Sequence, residues 1–152
     1  MNTATPTRLP TRGFTLVELM ISIVVLAIIV AVALPSYKAA TRKSHRGEAI
    51  AALAALQQAQ ERFRSGNSAY AGTLAAVGVA STTAPGGYYA LSVSSATATG
   101  YVITADGSGS SQRDDGDCAK LSMQVTGTSI TYGSCATCST FTYTPANRCW
   151  SQ

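Results

Sequence analysis

Residues 14–34 read FTLVELMISIVVLAIIVAVAL, 21 positions in which Glu18 is the only charge. As an α-helix this stretch rises about 31 Å, the thickness of the hydrocarbon core of a bilayer. It therefore predicts a transmembrane helix. A secretory signal has the same order of cationic and apolar regions, but its apolar core runs only about 7–15 residues before small residues that mark a cleavage site. Here the run passes instead through Pro35, Ser36, Tyr37 and Lys38 into sequence that continues as helix. Glu18 is the anomaly. A carboxylate within an apolar helix costs roughly 2.5–3.5 kcal/mol on insertion scales, so it needs a partner or must be neutral. Cutting the Gly13–Phe14 bond would free an α-amine one helical turn before Glu18, or offer that amine to the carboxylate of a neighbouring chain.

Downstream, residues 36–65 are rich in Ala, Leu, Gln, Glu and Arg and contain no proline, a helix-forming composition. Ala49, Ala52, Leu53, Leu56, Ala59 and Phe63 share one helical face, while Lys43, Gln57, Gln58, Glu61, Arg62 and Arg64 lie largely on the other. Such a face packs on its own domain, here a sheet, and Gly66-Asn67 supplies a stop. Pro35 removes a backbone donor from an otherwise continuous pattern and predicts a kink. The cluster Arg42-Lys43-Ser44-His45-Arg46 is read as contacting phospholipid headgroups, or pairing with a neighbouring subunit, in preference to nucleic acid. His45, the only histidine, has only Glu48 at helical spacing, and no metal site is expected.

The whole chain has 152 residues, enough for one domain and an appended segment but not for two catalytic lobes. Charged residues make up 12% and hydrophobic ones 46%, against about 25% charged in ordinary soluble domains, which excludes disorder. The net charge of +4 is unevenly spread. Arg8 and Arg12 precede residue 14 with no acid, and the cations outnumber the acids up to residue 65. From Gly66 onward Arg113, Lys120 and Arg148 face Asp106, Asp114, Asp115 and Asp117. The C-terminal part thus lacks a large cationic field.

After Gly66 the texture turns to Ser, Thr, Gly and alternating apolar residues. Residues 67–87 read as a connecting loop with one helical turn near Thr73-Leu74-Ala75. Short β-type runs follow at 88–93 and 101–105, with a hairpin signal between them. Residues 106–117 are polar and Gly-rich, a loop. Residues 118–125 alternate, with Ala119, Leu121, Met123 and Val125 on one face and Lys120, Ser122 and Gln124 on the other, and Thr126-Gly127-Thr128 turns into a strand at 129–132. The class is α+β: one long helix on a four-stranded antiparallel sheet.

Cys118, Cys135, Cys138 and Cys149 provide one C-x-x-C, too little for a four-thiolate zinc site, and a thioredoxin-like centre would need Cys135 at a helix N-terminus in a βαβ unit. An even count in an exported domain with a thin core points to disulfides. Three pairings are possible. Hairpin register around Thr126-Gly127 would place Cys118 opposite Cys135 and leave Cys138 for Cys149. The aspartates lack the spacing of a calcium loop, and residues 106–117 read as a solvated loop. No phosphate loop or Ser/His/Asp set is present, so no enzyme and no cofactor are expected.

The run Arg12-Gly13-Phe14-Thr15-Leu16-Val17-Glu18-Leu19-Met20, the apolar stretch after it, and Pro35-Ser36-Tyr37 resemble the processing region of type IV prepilins. The resemblance implies cleavage after Gly13 by a prepilin peptidase on the cytoplasmic face, N-methylation of Phe14, and assembly of the apolar helices, through Phe14 and Glu18, into a filament core. It implies the type IV pilin fold with a leader at 1–13, a membrane and filament-core helix at 14–34, an amphipathic continuation at 35–66 and a β-sheet head at 67–152. The C-terminal domain would be periplasmic, with the helix spanning the inner membrane before export into the pilus fibre. A simple count of flanking cations gives the opposite orientation, but the leader motif and the cysteines favour a periplasmic head.

Gln60-Glu61-Arg62-Phe63, Asn67-Ser68-Ala69-Tyr70, Tyr88-Tyr89-Ala90-Leu91 and Cys118-Ala119-Lys120-Leu121 are similar to PilE-like minor pilins. That resemblance implies a structural subunit with other pilin subunits as partners. It also suggests Cys118–Cys149 closing the C-terminal loop, with Cys135–Cys138 as a small extra ring. Two alternatives accompany it. One is a DNA-uptake receptor, since the same subfamily includes pilins that capture DNA, with Arg113, Lys120 and Arg148 as the local patch. The other is a type II secretion pseudopilin, a group in which some members hold calcium.

Overall fold

The computed structural model describes residues 13–151. Arg8, Arg12 and the rest of the expected leader before Gly13 lie outside the described residues. The chain divides into two compact units, Met1–Tyr37 and Lys38–Gln152. Helix α1 (Leu16–Arg64) contributes to both and includes Pro35 within its span. It starts where Thr15 accepts the Glu18 backbone N–H on its Oγ1 at 3.2 Å, satisfying one of the donors a helix leaves free at its N-terminus. It ends where Gly66 and Asn67 turn back on Phe63 and Arg64. The Asn67 amide closes that turn, donating to Phe63 O at 2.7 Å.

In the second unit, four strands form an antiparallel meander in chain order: β1 (Ala90–Ser94), β2 (Gly100–Asp106), β3 (Lys120–Thr126) and β4 (Ser129–Cys135). Register runs from Leu91↔Ala105 through Ile103↔Met123 to Met123↔Tyr132. Gly127, with φ +59°, supplies the left-handed residue of the two-residue turn between β3 and β4. Gly100 brings its backbone against Val125 O, where a side chain has no room. The core forms where Ala49, Leu53 and Leu56 of α1 meet Tyr89, Leu91, Tyr101, Ile103, Leu121, Met123 and Val125.

Two differences from the sequence reading concern β3. Alternation predicted Ser122 on the outer face, but it is buried. The C-terminal segment covers that face. Ser122 Oγ lies 2.9 Å from Tyr143 OH and donates to Ile103 O, while Thr144 bridges to Tyr132 of β4. The strand also starts at Lys120 rather than Cys118, because Gly116–Cys118 form a 3₁₀ turn. Lys120, not Cys118, then stands opposite Cys135.

Residues 67–87 are a loop with a short 3₁₀ turn at Ala75–Val77. A fully buried glutamine fastens it to the helix. Gln60 donates from Nε2 to Ala71 O at 2.8 Å, and its Oε1 accepts the Ala71 N–H at 2.9 Å. Using both ends of the amide satisfies polar groups that would otherwise be costly to bury.

Candidate functional site

In the first unit, the chemistry is that of a helix whose large apolar side chains are exposed. Phe14 is 81% exposed, and the large apolar side chains from Leu16 through Leu34 are exposed as well. A window of this helix has a mean hydropathy of 3.0, long and apolar enough to cross a membrane. Burying a Leu, Ile, Val or Phe side chain is worth about 1.5–3 kcal/mol each, so such a surface is stable only against lipid or against other apolar helices. Gly13 and Phe14 precede α1 and are exposed, and no atom lies within 4 Å of where a Cβ on Gly13 would stand. Glu18 sits in the first turn of α1, where the helix dipole favours an anion. Its backbone carbonyl accepts the Ser22 hydroxyl at 2.7 Å.

In the head, residues 106–117 are not simply a solvated loop. Their four aspartates are each taken by a different cation. Arg42 reaches Asp114 at 3.5 Å and Arg46 reaches Asp115 at 3.0 Å, both from α1. Lys120 holds Asp106 at 2.9 Å, and Arg148 from the C-terminal segment pairs with Asp117. Arg42 and Arg46 of the basic cluster at 42–46 thus tie the loop to the helix within the head. His45 stacks on Tyr88 with ring centroids 3.6 Å apart, and its Nδ1 lies 3.8 Å from Glu48 Oε2. The loop is anchored a second way. Ser110 caps the turn at Ser111–Asp114 by accepting the Gln112 N–H, and its hydroxyl donates to Tyr88 O at 2.8 Å.

Burial opposes ionisation of Asp106, yet the Ser108 hydrogen bonds and the Lys120 ammonium outweigh it and hold the carboxyl below its ordinary range. Tyr89 is pushed up to about 12, first by burial and then by the Asp115 carboxylate, against the opposing pull of Arg46. Burial and the charge of Glu61 raise Tyr101 as well.

Of the three cations proposed as a DNA patch, Lys120 and Arg148 are each neutralised by an aspartate, and Arg113 is exposed. The sequence reading missed this strap. The signal was present as four acids downstream and an excess of bases on the helix, but their pairing spans 69 and 72 positions.

The cysteines form two disulfides, Cys118–Cys149 and Cys135–Cys138. The Cys118–Cys135 pairing that hairpin register suggested is not formed, because Cys118 lies in the 3₁₀ turn before β3 and not in the ladder. The first bond is buried and joins the end of the aspartate loop to the C-terminal segment. Trp150, next to Cys149, donates to Gly133 O at 3.1 Å and packs at a tilt against Tyr132, with ring centroids 4.7 Å apart, which fixes that segment on β4.

Comparison with known proteins agrees with this geometry. Residues 8–34 match the family model of the prokaryotic N-terminal methylation motif. Residues 35–122 match the family described as type IV minor pilin ComP, DNA uptake sequence receptor. The chain is also 37% identical over 94 residues to the fimbrial protein EcpC of Eikenella corrodens, a match that covers 62% of this chain and 61% of the relative.

Proposed function

Because the chain belongs to the type IV minor pilin family, we propose that it is cleaved after Gly13 by a prepilin peptidase, N-methylated at Phe14, and held in the inner membrane with its head on the periplasmic side. It then passes into the fibre beside other pilin subunits. Its work is association and not catalysis. The observation that carries this reading is the uncovered apolar surface between Phe14 and Leu34 with Glu18 at its start. Moving from lipid into a bundle of like helices leaves the apolar burial in place, whereas a subunit amine next to Glu18 removes the cost of an unpaired carboxylate, roughly 2.5–3.5 kcal/mol. Mass spectrometry of protein from sheared fibres tests it, with an N-methylated Phe14 as the expected N-terminus. An intact leader on fibre-borne protein would overturn it.

A second reading is supported by the description of the matching family, which names a DNA uptake sequence receptor. In this form the pilin would hold duplex DNA on the fibre surface, with Arg113 and Arg148 exposed and Lys120 and Arg148 available in competition with Asp106 and Asp117. Phosphate binding of this kind weakens steeply with salt. Full-length protein in detergent should retard a duplex at low ionic strength and release it as salt rises. Unchanged migration at low salt would remove the receptor role while leaving the pilin role intact.

A further inference from the structure

The two disulfides differ in what governs thiol exchange, namely access and the consequence of opening. Cys118 and Cys149 are 7% and 0% exposed. Cys135 and Cys138 are half-buried at the end of β4, the edge strand of the sheet. Cys135 lines an open cleft of about 590 Å³ together with Asp117, Ser134, Asn147 and Arg148, where a thiolate departing on Cys135 meets polar surroundings.

We propose that Cys135–Cys138 is a thiol-exchange site, opened by an external thiolate in the folded protein while Cys118–Cys149 stays closed. Exchange proceeds by attack on one sulfur with the other leaving as thiolate, and it favours the sulfur whose negative charge is better stabilised as the leaving group. The Cys138 backbone N–H donates to Cys135 Sγ at 3.3 Å, which marks Cys135 as that leaving group. The incoming thiolate bonds to Cys138 Sγ, the Cys135–Cys138 bond breaks, and Cys135 takes the electron pair and then a proton. A second thiol attacks the external sulfur of the mixed disulfide. In balance, two external thiols are oxidised to one disulfide and the protein disulfide is reduced to two thiols. Cys135 ends a strand and does not open a helix, so the pair is a substrate for exchange, not an oxidising catalyst.

The fold should survive this. The bonds join residues 31 and 3 positions apart, and in the chain-entropy model the gain in the folding equilibrium constant grows as the three-halves power of ring size, so the long ring counts about 20-fold more. The pairing of β4 with β3, the Tyr132 bridge to Thr144 and the bond from Trp150 to Gly133 all hold the same region without Cys138. Opening the short ring would present a free thiol on the head, fit for a mixed disulfide with a thiol partner.

The experiment treats the full-length protein in detergent with reduced glutathione, quenches with an alkylating reagent and maps the peptides. Cys135 and Cys138 should become alkylated at least tenfold faster than Cys118 and Cys149, and the trapped glutathione adduct should sit on Cys138. Opening of all four in concert, of Cys118–Cys149 first, or adducts mainly on Cys135 would overturn the proposal. The double variant Cys135→Ser with Cys138→Ser should keep the circular dichroism of the folded head and lose all glutathione labelling. Unfolding of that variant would equally overturn it.

Discussion

The apolar half of α1 and the head solve opposite problems. Between Phe14 and Leu34 the side chains are apolar apart from Thr15, Glu18 and Ser22, and the large apolar ones are exposed, so the stability of that segment is borrowed from whatever surrounds it. The head buries its apolar face on its own sheet and spends its polar residues on closure: the Gln60 clip, the four aspartate pairs and two disulfides. Assembly information thus resides in one region and folding information in the other, and substitutions should separate them.

The sharpest separation is at Glu18. Glu18→Ala should abolish incorporation into fibres, read by immunoblot of sheared material, while the melting temperature of the head stays within a degree or two, since the residue belongs to the first unit. Wild-type levels of the variant in fibres would break the comparison at its centre. In the opposite direction, Leu53→Ala removes a fully buried side chain from the helix–sheet core and should cost the head about 2–5 kcal/mol in denaturant unfolding. Leu26→Ala, on the exposed stretch, should leave that midpoint unmoved.

This division also explains what was legible in the sequence. The apolar run, the face built on Leu53 and Leu56, and the four strands announce themselves because hydrophobic period is a local signal. Partner choice is not local. Nothing near Arg46 indicates Asp115, 69 positions away, and the reading of residues 106–117 as a solvated loop, which holds for the exposed Asp114 and Asp117, missed the pairing for that reason. Ser122 was misplaced because alternation assumes one open face, whereas Tyr143 and the C-terminal segment close it. The Cys118 register argument extended β3 two residues too far, into the turn at Gly116–Cys118.

Alkaline titration sharpens the comparison from the side of the head. The raised pKa of Tyr89 means that the folded state favours the neutral phenol. Its contribution is therefore fully present below the ordinary value of 10.0 and is lost as pH rises through about 12. Tyr101 acts in the same direction. Phenolate absorbance from these two should appear together with unfolding of the head in that window. Ionisation of Tyr89 well below the unfolding transition would contradict its enclosure.

The smallest effects should come from the ion pairs, and their ranking follows from exposure. Arg46 and Asp115 are each 15% exposed, so Arg46→Ala leaves a carboxylate largely out of water and should cost about 1–3 kcal/mol. Arg148 and Asp117 are 75% and 66% exposed, where solvent screens the attraction and ordering two long side chains offsets much of it, so Arg148→Ala should change stability by less than about 0.5 kcal/mol. Urea midpoints of the two variants in low and high salt provide the measurement. Equal losses would mean that the strap is held by its charges alone, whereas the expected inequality assigns its strength to the partly buried contact with α1 and leaves Arg148 nearly free, energetically, to exchange Asp117 for another anion.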